Sequence, residues 1–246
     1  MMVNTSQRSE APEIMDDFSM EGEILRDALD KIAGINRLLG GNKVTLEGVQ
    51  QLLRKDQEQK QDQEPVPERE IRILDVGCGN GDMLRTLADF AIEKHLKFQL
   101  TGIDANAFTI SHARGLSENY ENINFLCADI FEEILLEKEY DLILCTLTLH
   151  HFKDEEILTL LKGFKEKSKL GIVINDLQRS ALPYYLFIAL CFVFRLNSMS
   201  KDDGLVSILR GFKKADLQRY SNQLNLKNTS IRWKWAFRYQ WIIPSI

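Results

Sequence analysis

The ten residues Ile73-Leu-Asp-Val-Gly-Cys-Gly-Asn-Gly-Asp82 constrain this chain more than any other stretch. An apolar run ends in an acid, passes through three alternating glycines and enters a helix-forming segment. A buried strand feeding a glycine turn and a helix is the opening unit of a βαβ arrangement, and glycine lets a ligand approach the backbone because it has no Cβ and accepts positive φ. A dinucleotide fingerprint, G-x-G-x-x-G, needs a third glycine where this chain has Asp82. Charge argues the same way: Asp75 ends the strand, Asp82 opens the helix and Asp104 closes the next strand, so three carboxylates converge on one crevice. A pyrophosphate would be repelled there, whereas a ligand with ammonium and sulfonium groups would be attracted. Asp82 also suits the N-cap of the helix it opens.

The rest of the chain extends this pattern. Strands are expected at Ile71–Asp75, Phe98–Asp104, Ile123–Ala128, Tyr140–Thr146 and Gly171–Asn175, with helices at Asp82–His95, Ala107–Asn119 and Asp154–Lys167 between them. A further helix is expected at Lys213–Leu224, followed by an antiparallel hairpin in which Trp233, Trp235, Phe237, Tyr239 and Trp241 alternate with polar residues. That alternation predicts aromatics facing the core and a solvated opposite face. The fold class is therefore α/β, a doubly wound, mostly parallel sheet of seven strands.

Before the first strand, Leu25, Ala28, Leu29, Ile32, Ile35, Leu38 and Leu39 form one helical stripe that stops at Gly40-Gly41. Thr45 is placed to cap a second helix with Leu46, Val49, Leu52 and Leu53 on its apolar face. Asp56–Glu70, with six acids and two bases, reads as a solvated linker. The expected domains are a helical N-terminal extension with linker over 1–64 and an α/β domain over 65–246, interrupted by an apolar helical insertion over 177–210. At 246 residues with a net charge of −5, general electrostatic nucleic-acid binding is a poor first reading. Four scattered cysteines carry neither a C-x-x-C pair nor metal-type spacing, so no metal site is expected and a reducing, cytoplasmic setting is. No run reaches the roughly 18 apolar residues of a membrane-spanning candidate.

Asp75-Val-Gly-Cys-Gly-Asn-Gly81, with Gly102-Ile-Asp104 and Cys127-Ala-Asp129 ending the next two strands, resembles the class I S-adenosylmethionine-dependent methyltransferases, most closely the small-molecule branch that includes the quinone-biosynthesis enzymes. The resemblance implies S-adenosyl-L-methionine as cofactor, with Gly77 and Gly79 lining its methionine and ribose and Asp75 orienting the methionine part. It further implies that Asp104 takes both ribose hydroxyls, Asp129 the adenine amino group and backbone near Thr146 the methionine end. The N-terminal helices would cover the crevice or make a homodimer contact.

His150 and His151 follow the fourth strand, where the acceptor of this family meets the methyl group. An imidazole's ordinary pKa of about 6.5 suits it to take a proton from a phenol or enol, so the pair is the expected catalytic base, with pocket shaping as the alternative. His95 and His112 are expected at the surface. Pro183-Tyr-Tyr-Leu-Phe-Ile-Ala-Leu-Cys-Phe-Val-Phe194 would line one wall as a lid, suiting a hydrophobic aromatic acceptor, with a buried core helix or a bilayer-contacting surface as the alternatives. Asp176 and Arg179 are expected at the mouth, and Asp202-Asp203-Gly204 in a turn. The basic C-terminal stretch suggests an acidic carrier protein bearing the acceptor. The reading is methyl transfer to a phenolic polyketide or quinone precursor, oxygen before carbon. The alternative is a non-catalytic S-adenosylmethionine-binding partner subunit.

Overall fold

A computed structural model describes residues 3–60, 69–133 and 139–245. In chain order its elements are α1 (Glu23–Leu38), α2 (Gly41–Lys60), β1 (Ile71–Val76), α3 (Asp82–Glu93), β2 (Phe98–Asp104), α4 (Ala107–Leu116), β3 (Ile123–Cys127), α5 (Ile130–Glu133), β4 (Tyr140–Thr146), α6 (Asp154–Lys167), β5 (Ser168–Leu177), α7 (Ala181–Val193), α8 (Ser198–Arg210), α9 (Lys214–Gln223), β6 (Ser230–Lys234) and β7 (Arg238–Pro244). The sheet runs β3-β2-β1-β4-β5-β7-β6, parallel throughout except for β7, which is antiparallel to both β5 and β6. This is the doubly wound seven-stranded sheet that the β–α alternation predicts.

The central strands are apolar on both faces because both are covered. Along β4, Leu142 and Leu144 pack with α2 and α3, while Ile143 and Cys145 pack with α6 and α9. Local chemistry sets the helix ends. Asn106 caps α4 by accepting the Thr109 N–H at 2.8 Å, and α6 starts on three acids and ends on Lys165 and Lys167, matching its dipole.

Four expectations are corrected. Thr45 caps nothing: α2 already begins at Gly41, and the Thr45 hydroxyl lies 2.9 Å from that of Thr146. The expected linker begins later, because α2 runs to Lys60; residues 61–68 lie outside the described residues. Asp202-Asp203-Gly204 lies inside α8, not in a turn, since Gly204 meets the Phe187 ring so closely that a Cβ would come within 2.3 Å of it. The terminal hairpin has no solvated face along β7. Tyr239 and Trp241 face the α6 and α9 side, yet Arg238 and Gln240 are buried too, donating to Asn36 Oδ1 at 2.7 Å and the Val44 carbonyl at 2.6 Å. Period-two alternation marks two environments, and here the second is a polar helix surface instead of water.

The N-terminal helices share the core. Val49, Leu52 and Leu53 of α2 belong to the same buried cluster as Ile73, Leu87 and Val173. No helix among the described residues is long and apolar enough to cross a membrane. Leu52→Ala should cost about 2–5 kcal/mol, the range for truncating a buried leucine, in one cooperative transition by chemical denaturation. A loss under about 0.5 kcal/mol, the size of a surface substitution, would show that α2 merely rests on the sheet.

Candidate active site

The strand order reverses between β1 and β4, and ligands of open α/β sheets bind beyond the strand ends at such a point. A cleft of about 1660 Å³ opens there, larger than the roughly 300–1,000 Å³ that one drug-sized ligand requires, so it has room for two reactants. Asp75, Gly77, Gly79, Asp104, Asp129, Thr146, His150 and His151 all line it.

Asp75 is 2% exposed and its Oδ1 has no hydrogen-bond partner. Burial, then the charge of Asp104, pushes its pKa up to about 7. Asp104 accepts the Gly79 N–H at 3.2 Å and the Asn106 N–H at 3.0 Å, and burial raises its pKa against those two bonds. Gly77 adopts φ +65°, and any Cβ there would strike Thr148 at 2.3 Å, so the β1 turn and the segment after β4 touch backbone to side chain. Asp129 is exposed at the rim and accepts the Phe131 N–H at 2.8 Å.

Asp82 lines the cleft as well, but its carboxylate is tied to neighbouring side chains. Gly81 takes the N-cap position, and the Asp82 carboxylate accepts from Asn42 Nδ2 at 2.7 Å, with Arg37 and Arg85 at 3.6 and 3.8 Å. Helix α1 covers the glycine turn: its Asp30 accepts from Asn80 Nδ2 at 2.9 Å and pairs with His112 Nε2 at 2.8 Å. His112 is therefore held by α1 and half-buried, contrary to the surface expectation; His95 is exposed.

After β4, Leu147 stands at φ +54°, a conformation that costs a branched residue about 1–3 kcal/mol and turns the chain across the cleft. His150 follows, 2% exposed. Its backbone N–H donates to Asp176 Oδ2 at 3.1 Å, and its ring Nδ1 lies 2.7 Å from Asp176 Oδ1. Asp176 is thus a buried orienting group and not a mouth residue; His150 holds its pKa down against the upward push of burial. The His151 ring stacks 4.3 Å from that of His150, with its Nδ1 at 2.6 Å from Asp16 Oδ1. Burial pushes the Asp16 carboxyl up, but His151, the Glu13 amide and Arg210 outweigh it and hold it well below its ordinary value.

Asp16 and Glu13 belong to an N-terminal segment absent from the sequence-based site. Glu13 is 6% exposed, and burial raises its pKa to about 7. Arg8 anchors the segment, donating to Asp154 Oδ1 at 2.8 Å and to the carbonyls of His150, Phe152 and Arg210 at 3.0, 2.9 and 2.8 Å. Arg179 is buried beneath it, donating to the Thr5 and Gly211 carbonyls and to Asp216, not standing at the mouth. The far wall is α7, which presents Pro183, Leu186, Phe187 and Leu190 to the cleft and leaves Phe192 and Val193 exposed.

Comparison with known proteins agrees with this geometry. Residues 67–198, over half of the chain, match a family described as a methyltransferase domain. Ubiquinone biosynthesis O-methyltransferase of Rickettsia bellii is 33% identical over 121 residues, 48% of this chain and 46% of that protein. Malonyl-[acyl-carrier protein] O-methyltransferase of Priestia megaterium is 29% identical over 106 residues, 43% of this chain and 36% of that protein. The chain thus spans less than half the length of these relatives. Among solved structures, the plantazolicin methyltransferase BamL superposes with a TM-score of 0.62 at 15% identity, covering 89% of this chain and 91% of that one. Magnesium protoporphyrin IX methyltransferase of Synechocystis PCC 6803, with bound S-adenosylmethionine, superposes with a TM-score of 0.54 at 13% identity over 94% and 88% of the two chains. This protein belongs to the methyltransferase-domain family, within the class I S-adenosylmethionine-dependent methyltransferases.

Arg8→Ala should release the N-terminal segment. Each charge-assisted hydrogen bond contributes about 1.5–3 kcal/mol, so amide hydrogen exchange over residues 9–16 should quicken at least about tenfold while β1, β4 and β5 keep their protection. Unchanged exchange in the segment would mean that Arg8 does not hold it.

Proposed function

We propose that the protein transfers the methyl group of S-adenosylmethionine to a hydroxyl oxygen of a hydrophobic aromatic small molecule, such as a phenolic polyketide or quinone precursor. The observation that carries this reading is a buried histidine, His150, whose Nδ1 is fixed by Asp176 while its Nε2 is unpartnered in the wall of a two-reactant cleft. The apolar wall of α7 favours an aromatic or aliphatic acceptor and acts as the lid.

The residues at the strand ends fit the cofactor. Asp75 holds an orphaned buried oxygen that a cationic donor would satisfy. Asp104 stands at the end of β2, where a carboxylate accepts two neighbouring hydroxyls, so it would hold the ribose, with Gly77 and Gly79 along the methionine and ribose. Asp129 would meet the adenine amino group, and backbone near Thr146 the methionine end. When bound, the cofactor supplies a methyl carbon activated by its sulfonium, and displacement there depends on aligning donor and acceptor with water excluded. The N-terminal segment and α1 exclude that water.

His150 and His151 activate the acceptor. With Nδ1 tied to Asp176, the Nε2 of His150 is the atom left to accept the hydroxyl proton as the oxygen becomes nucleophilic. Oxygen over carbon is supported by two O-methyltransferases among the relatives, and the malonyl-[acyl-carrier protein] enzyme among them supports an acceptor borne on an acidic carrier. Arg219 at the cleft, with Lys213 and Lys214 at the start of the same helix, would face such a carrier. The four free cysteines suit a reducing, cytoplasmic setting.

Incubating cell extract with the protein and deuterium-methyl cofactor, then following the label by mass spectrometry, names the acceptor. Label appearing only on carbon, or on no small molecule or carrier, would overturn the reading. His150→Ala and His151→Ala should each lower turnover by about 10²–10⁴-fold, the range of acid–base assistance, with cofactor affinity unchanged. Asp75 adds a pH signature. In the free protein it holds its proton below about 7, and a cationic ligand favours the ionised form. Cofactor binding therefore releases a proton, and affinity should climb as pH rises from roughly 6 to 8, by at most about tenfold per unit. Calorimetry showing flat affinity across that window would remove Asp75 from the cofactor site.

A further inference from the structure

Glu13, His150 and His151 meet in an arrangement that hydrogen bonding does not explain. The Nε2 of His150 lies 3.7 Å from Glu13 Oε1, and the Nε2 of His151 lies 3.9 Å from Glu13 Oε2. Both separations are too long for hydrogen bonds. Yet His150 Nε2 and Glu13 Oε1 are buried and have no partner. The other Glu13 oxygen is occupied, accepting from the Ser207 hydroxyl at 2.7 Å, which leaves Oε1 as the free donor atom. One ligating atom from each of the three residues falls within a 4.8 Å span.

The three atoms stand somewhat wider apart than a bound cation would hold them, so binding would draw them together. Zinc takes histidine nitrogen and carboxylate oxygen at about 2.0–2.2 Å, which sets tetrahedral ligands roughly 3.3–3.6 Å apart. Two histidines and one glutamate, with a fourth position open, make a donor set of catalytic zinc sites. The surrounding bonds match as well. A metal-bound imidazole typically gives its remaining N–H to a carboxylate, which fixes its tautomer and aim. Here both imidazoles do so at Nδ1, His150 to Asp176 at 2.7 Å and His151 to Asp16 at 2.6 Å, and both turn Nε2 toward Glu13. Charge completes the case. The carboxylates in contact with the cluster are Glu13, Asp16 and Asp176, and the guanidinium beside them is Arg210, 2.6 Å from Asp16 and 3.8 Å from Glu13. Carboxylates thus outnumber guanidinium groups around the three ligating atoms, a balance that favours a cation over an anion.

We propose that Glu13, His150 and His151 bind one divalent transition-metal cation, zinc best meeting the donor set, with the open coordination position facing the acceptor side of the cleft. The function proposed above is needed only for what fills that position: the acceptor hydroxyl, whose oxygen binds the cation as its proton passes to bulk water on entry to the cleft, before methyl transfer. In the loaded protein the imidazoles serve as ligands, and in the metal-free protein His150 is left as the base. Local spacing in the sequence does not announce the site, because its carboxylate lies in the N-terminal segment, far along the chain from the histidines.

The test uses the full chain without a histidine tag, stripped by chelator, then titrated with Zn2+ alone and, in a second series, with Co2+ read by visible absorption. One equivalent of either ion should bind, with the intense bands of four- or five-coordinate cobalt, and Zn2+ should raise Tm. Glu13→Gln and His151→Ala should each weaken binding at least about tenfold, and Asp16→Asn about 10–100-fold, the usual loss when an orienting carboxylate is removed. Should the buried Glu13 variant fail to fold, half-exposed His151 and the wild-type titrations carry the test. Failure of the wild type to bind either ion, only octahedral cobalt bands, or equal affinity in the His151 and Asp16 variants would overturn the site. S-adenosylhomocysteine binding, followed by calorimetry on the same samples, separates this from failure of the methyltransferase reading: a protein that binds the nucleoside but no metal loses only the metal site.

Discussion

Two carboxylates set side by side at the ends of β1 and β2 govern this molecule. The parallel register pairs Asp75 with Gly102 and brings Asp104 beneath the glycine turn, so neither acid can retreat from the other without breaking the ladder. Asp75 is buried and lacks a full set of partners, and Asp104 beside it is partly buried. Packing two carboxylates together away from water carries an electrostatic cost, which appears as the raised pKa of both. The glycine turn keeps the space above them open, and α1 covers that turn.

The sheet, its order of elements and the strand-end acids were legible because each rests on local sequence. Apolar runs of strand length, glycines at alternate positions and amphipathic helices are written within a few residues of one another. What was not legible depends on pairings across the chain. Asp82 reads as a free crevice acid; it does line the cleft, but Asn42 from α2 claims one of its oxygens. Asp176 reads as a rim residue until the turn after β4 brings His150 over it. Arg238 and Gln240 read as solvent-facing because no local pattern says that a helix from the N-terminal part will cover that side of β7.

Residues 3–20 carried the largest surprise, since a polar segment without strong periodicity gives little reason to place it in a site. Their one local signal is Glu13 and Asp16, three apart, with Asp16 accepting the Glu13 N–H as in a capping box. That short 3-10 turn is held from α8, where Asp203 accepts the Ile14 and Met15 N–H groups at 2.6 and 3.0 Å. The apolar insertion therefore does two jobs. Its α7 supplies a greasy wall, and its α8 fastens the polar segment opposite.

A line of buried polar contacts runs from β7 to α3 beneath the covering helices. Arg238 donates to Asn36, Asn36 to Asn42, and Asn42 to Asp82. Greasy contacts alone tolerate sliding, because one methyl neighbour is much like the next. Amides do not, since each donor left facing hydrocarbon forfeits its solvation. If the helical pair slipped by a single turn, this relay would be broken at both asparagines and a guanidinium stranded in the dark. The cover has one seat, and the polar relay acts as its key.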